Sequence, residues 1–226
     1  MRLVIVSSLA ALVVAPLAAQ AAQSPARYSV TLEGRIVASY SYIHTSTESE
    51  CRISRFGSAT RTTEIRSVSP TVMQAVRDRG RAAYRPAVLR SLRLASTLGG
   101  SNWTERRICR GEPIETRNGT CPPKHDRARS VRAQIAWGGP NRIVFRPDSS
   151  GPANVPLCGL GQAVRSNGRL SIAPGKVDEE VLLLGRARRV LASASVTRDG
   201  NIGSDPQTSI GEKMEVRWTL TFRRVS

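Results

Sequence analysis

RYSVTLEGRIVASYSYIHT, Arg27 to Thr45, decides the fold class. The even positions from Tyr28 to Tyr42 read Tyr, Val, Leu, Gly, Ile, Ala, Tyr, Tyr, and most odd positions are polar. A period of two places alternate side chains on opposite faces of an extended chain, so this is a half-buried β-strand. Tyr28, Val30, Leu32, Ile36, Tyr40 and Tyr42 are expected to face a core. Gly34 interrupts that face and is expected to mark a bulge or sharp bend, where a side chain would be in the way.

The far end of the chain mirrors it. In KMEVRWTLTFRRV, Met214, Val216, Trp218, Leu220 and Phe222 share one face, and Glu215, Arg217, Thr219, Thr221 and Arg223 the other. The two ribbons are expected to be neighbours, which would tie down both ends of the domain. Between them the same pattern recurs. VRAQIAW and RIVFR flank Gly138–Asn141, and QAVRS and RLSIA flank Asn167-Gly168; both pairs read as hairpins. RRVLASASVT runs to an expected turn at Asp199-Gly200, and SLRLASTL ends at Gly99-Gly100. TRTTEIRSVS is a weaker strand, and Asn118-Gly119 is a further turn signal.

Helix is scarce. Residues 178–185 carry Asp178 at an N-cap, acids in the first turn and Gly185 as a stop, so one short helix is expected there. SPTVMQAVRDRG offers Ser69 as a cap and Gly80 as a stop, but its β-branched residues make a strand nearly as good a reading. Many short strands with regular turn signals imply an all-β antiparallel sandwich or barrel-like fold. The Pro-, Gly- and charge-rich stretch 110–129 reads as a flexible loop.

The first residues have the layout of a secretory signal peptide. Arg2 precedes an apolar run from Leu3 to Ala15, and Ala19-Gln20-Ala21 supplies small residues at a cleavage site. The expectation is a signal peptide over 1–21 and one disulfide-bonded β domain over 22–226. The run is shorter than the ~20 residues of a spanning helix, and no later segment is apolar enough. Four cysteines in an exported chain read as two disulfides. Cys109–Cys121 is the favoured pair, closing the loop RGEPIETRNGT, which leaves Cys51–Cys158. The spacing of Cys109, Cys121 and His125 lacks the paired knuckle of a zinc site, so no metal or other cofactor is expected.

The formal charge is +17, from 34 basic and 17 acidic residues. Nearly all the basic residues are Arg, a bias that GC-rich coding also produces. Such charge favours anionic polymers in general. An anionic cell-envelope polymer is the candidate partner, and no specific nucleic acid is expected. NWTERRICR sets Trp103 near Arg106, Arg107 and Arg110, a candidate surface patch. Its simpler reading is a Trp covering a strand end beside a disulfide.

Catalytic signals are weak. There are two histidines. His44 is expected at a strand end, and His125 stands beside Asp126, from which adjacent side chains of an extended chain point apart. No G-x-S-x-G, H-E-x-x-H or phosphate-binding glycine loop occurs. Gly159 and Gly161 read as a turn, Glu48 and Glu50 as solubilising, and Asp199 to Asp205 as a poor match to a calcium loop. The leading expectation is an exported, non-catalytic β-sandwich that binds or structures something at the cell surface. The alternatives are a secreted hydrolase acting on wall polymer and a generic polyanion-binding protein.

Overall fold

The computed structural model describes residues 25–149, 151, 154–166, 168–204 and 206–225. The expected signal peptide lies outside them. The strands are β1 (Arg27–Glu48), β2 (Cys51–Ser67), β3 (Thr71–Asp78), β4 (Arg81–Arg85), β5 (Val88–Leu98), β6 (Ser101–Cys109) and β7 (Glu115–Cys121). They continue with β8 (Lys124–Gly139), β9 (Arg142–Pro147), β10 (Asn154–Leu157), β11 (Gln162–Arg165), β12 (Gly175–Lys176), β13 (Arg189–Ser204) and β14 (Thr208–Val225). One α-helix, α1 (Glu179–Leu184), and a 3-10 turn at Leu170–Ile172 complete the described elements.

The fold is all-β and antiparallel, as the alternation requires. β1 lies against β14 in unbroken register, from Arg27 opposite Val225 to His44 opposite Thr208. Gly34 therefore marks no bulge there. It faces Trp218, and a Cβ on it would come within 2.9 Å of Ile65 Cγ2. β1 also pairs with β2 from Glu33 onward, through a turn in which Ser49 and Glu50 both hold positive φ. The pairings run β1–β14–β13–β12–β9–β8–β5–β2 and return to β1, closing a ring of strands. β3–β4 and β6–β7 extend from it as flaps.

The inward face of the ring is the expected core. Tyr28, Val30, Leu32, Ile36, Tyr40 and Tyr42 are buried, as are Met214, Val216, Trp218, Leu220 and Phe222. Phe145 meets Trp218 edge-on at 4.9 Å between ring centres. Outward positions carry Glu, Arg and Thr, the reverse of the apolar exterior of a membrane-spanning barrel. No described helix is long and apolar enough to cross a membrane. α1 forms where the caps require it: the Asp178 side chain accepts from the Val181 N–H, and Gly185 ends the helix in the left-handed region.

Several expectations are corrected. The stretch 110–129 is mostly β7 and β8 rather than a loop, and Asn118-Gly119 lies inside β7. β7 is held by pairing to β6, which overrides its turn residues. β13 runs through Asp199-Gly200 and absorbs the irregularity between Asn201 and Gly203. Ser69 to Gly80 makes β3 and the β3–β4 turn, not a helix. β11 pairs with β10, and Leu170–Ile172 forms the 3-10 turn, so QAVRS and RLSIA are not paired as a hairpin; Asn167 of the expected turn lies outside the described residues. Leu170 is fully buried, and drawing it into the barrel outweighs the local turn signal.

The disulfides are Cys51–Cys109 and Cys121–Cys158, not Cys109–Cys121 and Cys51–Cys158. Cys51 faces Cys109 directly across β2 and β6. Cys121 faces Ser101 at the other end of β6, so the β6–β7 hairpin holds Cys109 and Cys121 apart by ~26 Å of strand. Cys121 instead ties the β10–β11 hairpin to β7.

Candidate functional site

One stretch of β2 breaks the rule that the inward face is apolar. Ala59, Arg61, Thr63 and Ile65 all point inward and are buried, so a guanidinium and a hydroxyl stand where hydrocarbon is expected. Arg61 is 7% exposed. Its Nε donates to Ser96 Oγ at 2.9 Å, and Ser96 Oγ lies 3.1 Å from Thr63 Oγ1. Ser96, on β5, is also buried. The contact with Ser96 fixes the Nε edge of the guanidinium. Nη2 is buried without a hydrogen-bond partner among the described residues. No described carboxylate forms an ion pair with Arg61.

Arg61 and Thr63 line a cavity of about 480 Å³. β1 contributes Ile36, Ala38 and Tyr40 to its wall, and β9 contributes Arg146. The end of β11 adds Arg165, and the segment after it adds Ser166, Gly168, Arg169 and Ser171. Leu170, between these residues, plugs the barrel, and the Trp218 indole donates to the Ala173 carbonyl at 2.8 Å to hold the segment down. Ser166 Oγ donates to Glu212 Oε1 at 2.7 Å. Glu212 is buried on β14 directly opposite Tyr40. No acidic residue lines the cavity among the described residues, and Arg146, Arg165 and Arg169 are exposed at its rim.

Burial pushes the Tyr40 hydroxyl up to about 12; Ser166 opposes the shift, the Glu212 charge adds to it and Arg61 opposes it. Tyr40 therefore stays a neutral phenol at physiological pH. Its hydroxyl is buried and makes no hydrogen bond of ordinary geometry. A guanidinium in the inner wall is suited to receive an oxyanion, to which it donates as a charged fork, while the Tyr40 hydroxyl lies beside Ser166 and Glu212.

The residues singled out in the sequence lie elsewhere. Trp103 packs over Gly159, where a Cβ would meet its Cγ at 2.6 Å, next to the Cys121–Cys158 bridge. The Tyr42 hydroxyl donates to the Cys158 carbonyl in the same corner. Trp103 thus covers a strand end beside a disulfide. Alternation along β6 puts Trp103 and Arg107 on one face and Arg106 on the other. Arg107 reaches back to Cys51 Sγ at 3.6 Å, and Arg110 lies beyond the strand, so the four residues form no common patch. His44 Nδ1 is 2.9 Å from Thr208 Oγ1 at a strand end. His125 is exposed, 3.2 Å from Thr97 Oγ1, and neither it nor Asp126 lines the cavity.

Comparisons with known proteins assign no family. No family model matches the chain, and no curated protein does. Among solved structures, an acetoacetate decarboxylase-like enzyme from Sphingomonas wittichii RW1 is 8% identical, covering 88% of this chain and 93% of that one at a TM-score of 0.09. A likeness at that level carries no argument about fold or activity.

Proposed function

We propose that this is an exported, non-catalytic β-barrel protein that binds a small anionic ligand in the cavity over Arg61. One observation carries the reading: a buried guanidinium with no protein carboxylate paired to it faces a cavity among arginines. Burying a charge without its counter-charge is costly, and a folded protein keeps one where something else supplies the opposite sign. A closed ring of about eight strands has an interior that side chains fill or that holds one small ligand, and this one does both at different levels. The cavity volume falls within the range of small-molecule sites. Two disulfides fit an oxidising compartment, which supports export.

The wall-hydrolase reading, with carboxylates or His125 in a cleft, would gain from His125 and Asp126 in a concave site, and their exposed position on β8 gives it no such support. The polyanion reading draws on the charge alone. Exposed arginines stand on strands all round the ring, among them Arg35, Arg66, Arg93, Arg132, Arg142 and Arg217, which favours a solvated surface over one docking face.

The test is thermal denaturation of the full chain with succinate or inorganic phosphate at fixed ionic strength. A ligand that binds only the folded state stabilises it by ~2.7 kcal/mol at a hundred times its Kd. The wild type should gain stability saturably, and Arg61→Met should gain none. Equal gains in both proteins would overturn the proposal.

A further inference from the structure

The Arg61 cavity has a second cationic level. Arg61 sits at its inner end on β2, fixed by Ser96. Arg146, Arg165 and Arg169 are exposed and also line it, the first at the end of β9 and the other two on either side of the Ser166–Gly168 turn. The two levels differ in kind: one guanidinium is locked and buried, and three are at the rim with long, free side chains. Ile36 and Ala38 supply apolar wall to the same cavity. A single small oxyanion on Arg61 would occupy a fraction of the 480 Å³ and leave the rim arginines without a counter-charge from the ligand. Four cations around one concave site, with no lining acid among the described residues and only the Glu212 carboxylate behind Ser166, raise a positive potential that one further negative charge does not neutralise.

We infer that the ligand carries two oxyanion groups, carboxylate or phosphate, joined by a short linker: the inner group is bound by Arg61 and the outer one by the rim arginines Arg165 and Arg169, with Arg146 beside them. This inference rests on the anion-binding reading above and names the class of ligand within it. The inner contact is desolvated and fixes orientation; the outer contacts are solvated and weaker, and they select for the second charge. Ser166 links the two levels, because its hydroxyl is bound to Glu212 in the barrel wall while its neighbours form the rim. That part-buried hydrogen bond anchors the backbone between Arg165 and Arg169 to the barrel wall.

The experiment is isothermal titration of the full chain at fixed ionic strength with two matched pairs of probes, acetate against succinate and dimethyl phosphate against P1,P2-dimethyl pyrophosphate. In the wild type at least one dianion should bind about tenfold or more tightly than its monoanion partner, the increment expected of two solvent-exposed contacts. The better pair then identifies the oxyanion as carboxylate or phosphate. R165Q/R169Q should abolish the preference for that dianion over its monoanion and keep the wild-type melting profile. Arg61→Met should lose both. Equal affinity within both pairs, or a double rim variant that still prefers the dianion, would overturn the inference while leaving a one-charge anion site standing. A wild type that binds none of the four probes would overturn the anion-binding reading itself.

Discussion

Arg61 and Gly34 show how single positions are set by what lies across the barrel. Gly34 has no room for a methyl group between Ile65 and Trp218. Gly34→Ala should therefore destabilise the protein by ~1–3 kcal/mol through forced repacking, read as a lowered midpoint in urea with the slope unchanged. Glu50 has the opposite problem: its φ of 66° is one a side chain disfavours. Glu50→Gly should gain about 1 kcal/mol in the same assay. Gly34 was legible as a crowded site from its place on an apolar face. Arg61 was not legible as a site residue. In TRTTEIR the inward positions hold Arg and Thr, so the segment reads as a faint strand with no preferred face. The faintness was the signal: a strand certain from its neighbours, yet polar on the core side, is where a barrel interior departs from hydrocarbon.

At the scale of elements, alternation and capping were legible wherever the decisive contacts are local. β1, β14 and α1 follow from their own residues. Asp178→Ala should remove the cap of α1 at a cost of ~1 kcal/mol, seen as faster amide exchange over Glu179–Leu184. The disulfides were not legible, because their pairing depends on which strands lie side by side. Nothing in RGEPIETRNGT announces that β6 and β7 pair so as to hold Cys109 and Cys121 apart. The same holds for the cavity's roof. Its residues carry turn signals, yet buried Leu170 and the Trp218 contact fold them inward. Replacing Cys121 and Cys158 together by Ser should free the β10–β11 hairpin from β7. Cleavage near Gly159–Gly161 by a protease should then accelerate while the barrel keeps a cooperative melt.

For the whole molecule, the closing contact is β1 against β14. Truncation at Gly211 removes Met214, Val216, Trp218, Leu220 and Phe222 and opens the ring, so the product should show no cooperative melt; Phe222→Ala alone should cost ~3–5 kcal/mol. The four tyrosines of the chain report the same packing. Burial is the main cause that raises Tyr28, Tyr40, Tyr42 and Tyr84 above the ordinary phenol range, with Tyr40 pushed up to about 12. The unfolded chain therefore loses these protons first, near pH 10. Their contribution to stability is fully present below that pH and is lost as pH rises through the folded values. Phenolate absorbance should then appear late and in one step, together with loss of β-sheet circular dichroism. Independent titration of the four near pH 10 in the folded protein would contradict the packing.

The central claim is that Arg61 is held inside the barrel to receive an anion, and side-chain nitrogen NMR addresses it most directly. The Nε–H of Arg61, bound to Ser96 and shielded from water, should give a slowly exchanging resonance that is absent from Arg61→Met. On titration with succinate or inorganic phosphate at constant ionic strength, that resonance should shift along a saturating curve while arginines outside the cavity, such as Arg35 and Arg217, do not. A resonance that stays in place, or drifts linearly with the others, would contradict the account.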